Sequence, residues 1–148
     1  MNFTLNKTLY DINYLYIMEP VSNNVIENGV FYRLMYSNSH MTLNSLIFEI
    51  PLEDVNIVKM FNKYKITYTN KNETSFQFIE LAENEILQKF EMGKSPKRCI
   101  MDCVKNDNIK LYSEKELLHH YDTLSVYVKI SGFWLNETEY GLTYKFLY

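Results

Sequence analysis

Apolar and polar residues alternate most regularly near the end of the chain. Leu124, Val126, Val128 and Ile130 alternate with Ser125, Tyr127, Lys129 and Ser131, the period of a half-buried strand. Asn136-Glu-Thr-Glu139 interrupts that run. Tyr140, Leu142, Tyr144 and Phe146 then share one face, with Thr143 and Lys145 on the other. The two runs predict a closing β-hairpin over about residues 124–147. Gly132 marks a bulge in its first strand, which leaves the face of Trp134 unassigned.

Shorter patterns precede it. Ile12 to Met18 predicts a first strand, stopped by Pro20. Asn28-Gly29, between the apolar runs of Val25 to Tyr36, predicts a two-residue hairpin turn. Beyond it, Val30, Tyr32, Leu34 and Tyr36 share one face and Phe31, Arg33 and Met35 the other. Met41 to Ile50 predicts a strand closed by Pro51. Tyr64, Ile66 and Tyr68 alternate with Lys63, Lys65, Thr67 and Thr69 in the next. The major helix is predicted from about Ser75 to Met92, with Ile79, Ala82, Ile86 and Phe90 as its apolar stripe. Thr74 and Gln77 have capping-box spacing, and Gly93 suits a C-terminal cap. Glu80, Glu83, Glu85 and Glu91 fit the outer face or edges of this helix. A short helix at Cys99 to Val104, a short strand at Ile109 to Tyr112 and one or two helical turns at Glu114 to His120 complete the chain.

Several meandering strands, one major helix and a closing hairpin predict a single, mainly β domain over residues 1–148. An OB-like Greek-key β-barrel fits that order, with its helix between the third and fourth strands; a two-layer α+β sandwich is the alternative. A chain of 148 residues that is 47% hydrophobic can bury one real core. Asn, Lys, Ile, Tyr and Phe are abundant, whereas Ala82 is the only alanine and Arg33 and Arg98 are the only arginines. AT-rich codons favour that usage, so the placement of Tyr and Lys carries information and their number does not.

The net charge of −3 gives no overall basic signal for nucleic acid. The start of the chain has no apolar core of signal-peptide length, and no run approaches the ~20 residues that span a bilayer. With two cysteines read as free thiols, the expectation is an intracellular protein, neither secreted nor membrane-bound. The Asn-x-Thr triplets at Asn2, Asn6, Asn72 and Asn136 are then chance occurrences.

Candidate chemistry is sparse. Cys99, Cys103, His119 and His120 match no common zinc spacing, so no metal and no cofactor are expected; a zinc-dependent enzyme or zinc-stabilised module is a third, weaker reading. No Gly-rich phosphate loop and no nucleophile with a base and an oxyanion hole can be picked out, which argues against an enzyme. The predicted outward faces are more informative. Phe31, Arg33, Lys63, Lys65, Tyr127, Lys129 and Lys145, with Trp134, interleave cations and aromatics. Cations follow phosphates while flat rings stack bases, the needs of a single-stranded DNA groove. The same residues also read as an ordinary solvated sheet face, with lysines discouraging edge pairing.

Four segments resemble short proteins of nucleocytoplasmic large DNA viruses: Gly29-Val-Phe-Tyr-Arg-Leu-Met-Tyr-Ser37, Met41-Thr-Leu-Asn-Ser-Leu46, Lys129-Ile-Ser-Gly-Phe-Trp134 and Glu139-Tyr-Gly-Leu-Thr-Tyr-Lys-Phe146. The resemblance runs from Gly29 to the C-terminus. The last hairpin is also similar, more loosely, to that of viral and phage OB-fold single-stranded DNA-binding proteins. These resemblances imply a replication or repair setting in the host cytoplasm or nucleus, within a virus factory. Single-stranded DNA is the first expected partner; a homo-oligomer or other viral proteins are further partners. The second expectation is a virion or virus-factory component that contacts protein and binds no nucleic acid.

Overall fold

The structure is a computed structural model that describes residues 3–23, 25, 28–70 and 73–148. After a 3-10 turn at Ile12–Tyr14 come β1 (Leu15–Asn23), β2 (Gly29–Ser37), β3 (Thr42–Leu43), β4 (Leu46–Met60) and β5 (Lys63–Asn70). Then follow α1 (Glu73–Lys89), β6 (Ser95–Lys97), α2 (Cys99–Lys105), β7 (Lys110–Tyr112), β8 (His120–Leu135) and β9 (Glu139–Leu147). The fold is mainly β, a mixed sheet of nine strands with two helices among the described residues.

β8 organises the sheet. Its residues from Tyr127 to Leu135 pair with β9 along one edge. The other edge is shared end to end, by β4 opposite His120 to Ile130 and by β2 opposite Gly132 to Leu135. β4 pairs with β5, β5 with β7, and β7 with β9, so the chain of pairings leads back to β8. All of these are antiparallel except β7–β9. β1 continues the sheet outward from β2 and ends it as an edge strand, while β6 adds to β9.

The closing hairpin forms as the alternation predicts. Val126, Val128, Ile130, Phe133, Leu142 and Phe146 are buried, and the register shifts between Ile130 and Gly132, where the bulge was expected. Asn136 shapes the tip, its side-chain oxygen accepting from the amides of Thr138 and Glu139. Ile79, Ala82 and Ile86 of α1 face the core, and Phe78 sits edge-on to Phe48 at 5.0 Å.

Several boundaries differ from the sequence reading, each for a physical reason. Pro20 does not stop β1: it sits at a register shift in an edge strand, where no ladder bond needs its missing N–H. Pro51 does not close β4 either. The Ile47 carbonyl, two dyads earlier on the same side, points away from β8 and accepts from the Leu5 amide. Pro51 therefore turns its nitrogen to that same side, where β5 reaches only as far as Glu53. β2 begins at Gly29, which pairs with Asn23 of β1, so the β1–β2 connection is longer than the two-residue turn expected at Asn28-Gly29. Asn28 does adopt a left-handed φ of 54°.

The helix runs over Glu73–Lys89, so Gly93, at φ 68°, lies beyond its end. The Thr74 cap and Asn72, like Asn2, lie outside the described residues and side chains. Glu114 to His120 is not helical. α1 follows β5, the second strand of the ring counted from β4, and not the third as expected. Glu83 is fully buried, not outward-facing. Among the described residues no helix is long and apolar enough to cross a membrane.

Candidate nucleic-acid interface

All eight predicted surface residues lie on the outer side of the sheet, because the inward register positions beside them are taken by the core. On β8, Val126, Val128 and Ile130 point in, so Tyr127 and Lys129 point out. Register then places Lys129 directly opposite Lys145. On β5, Tyr64 and Ile66 are buried, and the intervening Lys65 stands opposite Lys110 of β7. The sheet thus carries two like-charged cross-strand pairs, an arrangement that costs folding stability unless an anion lies across it.

Tyr112 connects them. The Lys63 ammonium lies 4.8 Å from the centre of its ring and the Lys145 ammonium 5.2 Å. A hydrogen bond from Lys63, with the positive charge of Lys63 and Lys145, holds the Tyr112 phenol below its ordinary range. Tyr112 is part-exposed and leads into a groove of about 860 Å³ lined by Tyr112, Tyr121, Tyr127 and Tyr148, with Lys115 and Glu114 at its margin. Glu49 stands opposite Tyr127 and accepts a hydrogen bond from Ser125, so the β4 side of the face carries some negative charge.

Phe31, Arg33 and Trp134 form a second cluster, beyond the bulge on β8. Phe31 pairs with Trp134 and Arg33 with Gly132. A Cβ on Gly132 would lie 2.7 Å from ring carbons of Phe31, and one on Gly141 would lie 2.9 Å from the Trp134 indole. The two glycines therefore let these rings lie down on the neighbouring strand. Trp134, unassigned from sequence, faces outward with one side of its indole against β9. The structure brings Lys63 and Lys145 onto the Tyr112 ring, with Lys129 in register beside Lys145 and Tyr127 lining the same groove. It sets Lys65 beside Lys110, and leaves Phe31 and Arg33 of β2 with Trp134 of β8 beyond the bulge. Sequence reading missed Tyr112 and Lys110, although the short strand that carries them was legible.

The residues considered for metal are not gathered in one place: among the described residues no group of three or more His, Cys, Asp or Glu could hold an ion. Cys99 and Cys103 are half-buried on α2, and the Cys103 thiol donates to the Asn108 carbonyl. Burial pushes both thiols up. At neutral pH both are expected to react with a disulfide reagent more slowly than a free thiol, with full reaction only on unfolding. Fast reaction of either in the native protein would show a thiolate that the burial argument does not allow.

His120 is held in an exposed cluster, its ring nitrogens 3.1 Å from the Asn56 side-chain oxygen and 3.2 Å from Asp122. No protein family, curated protein or solved structure matches this chain.

Proposed function

We propose that this chain is a non-enzymatic single-stranded DNA-binding protein that works through the outer face of β5, β7, β8 and β9. The observation that carries the reading is the pair of lysine–lysine registers, Lys129 with Lys145 and Lys65 with Lys110, grouped about a tyrosine held between two ammonium groups. Phosphates would relieve the repulsion, and the tyrosine-lined groove beside it would take bases by stacking. We read the ring of pairings as an OB-like Greek-key barrel. In such a barrel the face of the second and third strands binds oligonucleotides. Counted from β4, those strands are β5 and β7, which carry Lys63, Lys65, Lys110 and Tyr112. The resemblance to proteins of large DNA viruses makes replication or repair in an infected cell the proposed setting.

Anisotropy titrations of a labelled oligothymidylate across a salt series test this. Each phosphate contact on a single strand contributes about −0.7 to the logarithmic salt slope, so a Lys129→Ala/Lys145→Ala double variant should flatten it by roughly 1 to 1.5. That variant should fold at least as stably as the wild type, because it removes a repulsive pair. Tyr112→Ala and Tyr127→Ala should each weaken binding by ~1–3 kcal/mol per stacked base, with the slope nearly unchanged. Glu91→Gln, exposed just beyond the end of α1, should change little. Wild-type protein that is folded and yet ignores the oligonucleotide at low salt rejects the reading.

The interaction-protein reading keeps one specific support: the edge strand β1 exposes Tyr16, Met18 and Val21. It predicts association with protein and no salt-dependent oligonucleotide binding.

A further inference from the structure

The hairpin between β4 and β5 is closed by the pair Met60–Lys63, leaving Phe61 and Asn62 as a two-residue turn. Phe61 has a left-handed φ of 53°. The first central position of such a hairpin turn, when its φ is positive, is one that glycine fills without strain. A phenylalanine here is doubly unfavourable: its backbone is strained, and its side chain is 96% exposed, so it packs against nothing that repays the strain. Val58 and Met60, outward on the same hairpin, are exposed too, at 63% and 41%. Lysines surround them. Val58 stands opposite Lys65, Met60 opposite Lys63, and Lys59 opposite Tyr64. The Lys63 ammonium lies over the Tyr112 ring, so the tip is continuous with the cationic face already described.

From this geometry we infer that Phe61 is a wedge, presented by a strained turn, that inserts between consecutive bases of single-stranded DNA lying across Lys63, Lys65 and Tyr112. The inference rests on the DNA-binding reading and adds to it a residue placed on a different element. Single-stranded DNA is the occupant that fits because the apolar tip is ringed by cations and leads directly onto the lysine pairs. A strand with stacked bases and a charged backbone can satisfy both at once. The remaining exposed apolar groups, Val58 and Met60, would cover the sugar edge of the same nucleotides.

The experiment uses the full chain with three substitutions and three probes, a fluorescein-labelled oligothymidylate of about 16 nucleotides, an abasic strand of the same length and vesicles of anionic phospholipid. Phe61→Ala is expected to weaken binding to the oligothymidylate roughly 5- to 150-fold without changing the salt slope. On the abasic strand it should have no effect. Phe61→Trp should keep or improve affinity. Phe61→Gly is the decisive variant: it should raise the melting temperature, because glycine accepts the turn, while it lowers affinity as alanine does.

Wild-type binding that none of these substitutions alters would overturn the wedge and leave the DNA reading standing. A Phe61→Gly protein less stable than wild type would overturn it as well, by making Phe61 a structural residue. Phe61-dependent cosedimentation with vesicles of anionic phospholipid, with oligonucleotide binding unaffected, would reassign the tip to a membrane surface. Absence of any wild-type oligonucleotide binding would reject the DNA reading, and the wedge with it.

Discussion

Val128→Asp is expected to leave no cooperatively folded protein. Val128 is fully buried at the crossing of the sheet, with Phe48 of β4 on one side in register and Phe146 of β9 on the other. Neither neighbour can hydrogen-bond a carboxylate, and an unpartnered buried charge costs several kcal/mol, against a total stability of about 5–15 kcal/mol. The damage also spreads, since β8 is the strand on which β2, β4 and β9 all pair. Val128→Ala, which only removes methyl groups, should cost about 2 kcal/mol and keep a sharp transition. Thr143→Ala on the half-exposed side of the hairpin should stay within about 0.5 kcal/mol. Circular dichroism melts of the soluble fractions check the series. A normal melt for Val128→Asp, or one that survives deletion of Trp134 to Tyr148, would make the hairpin an appendage and remove β8 from the centre of the fold.

The alternation that made Val128 recognisable as a core residue comes from the pleat, and where the pleat alone sets burial the sequence was readable. β5 and both strands of the closing hairpin were found that way, whereas the apolar stripe of α1 was read from the helical period of 3.6 residues and the bulge from Gly132 interrupting the alternation. Prolines were misread because their cost depends on partners that sequence does not display. Pro20 is harmless on an edge, and Pro51 is harmless because its nitrogen faces a side on which β5 has already ended. With Pro51 taken as an end, the second half of β4 from Leu52 to Met60 went unassigned. So did the turn at Phe61, which carries no glycine to announce it.

Much of the candidate interface was legible one strand at a time. Lys63, Lys65, Tyr127, Lys129 and Lys145 were all placed outward by their buried neighbours. Their convergence was not legible, because Lys129 meets Lys145 through a hairpin register shifted at Ser131, and Lys65 meets Lys110 through a pairing of strands 45 residues apart. Tyr112 was overlooked for the same reason. On a three-residue strand its alternation is too short to interpret, and its significance comes from two lysines that other strands deliver to its ring.

Glu83→Ala should destabilise the protein by about 2–4 kcal/mol, lowering the melting temperature by roughly 5–15 °C. The carboxylate on α1 is fully buried and accepts from the amides of Ile100 at 2.9 Å and Met101 at 3.2 Å, the opening of α2. Alanine leaves those amides without a partner and loosens α2, against whose Cys99 carbonyl the Tyr144 hydroxyl of β9 is set. The neighbouring Lys145 on β9 would lose its support with it.

Burial pushes the Glu83 carboxyl above its usual range; the two amides and the nearby Arg98 oppose that, and Asp102 adds to it. A carboxyl with a raised native value binds more protons folded than unfolded. Its contribution to stability is therefore complete below the ordinary value of about 4.5 and is lost as the pH rises through the raised native one. Glu83→Gln is neutral at every pH and lacks this dependence. Denaturant unfolding from acid to neutral pH should show the glutamine variant gaining on the wild type across that window, with alanine below both throughout. The opposite trend, a wild type that gains on glutamine as the pH rises, would mean that the amides of α2 outweigh desolvation and hold Glu83 as a true anionic cap.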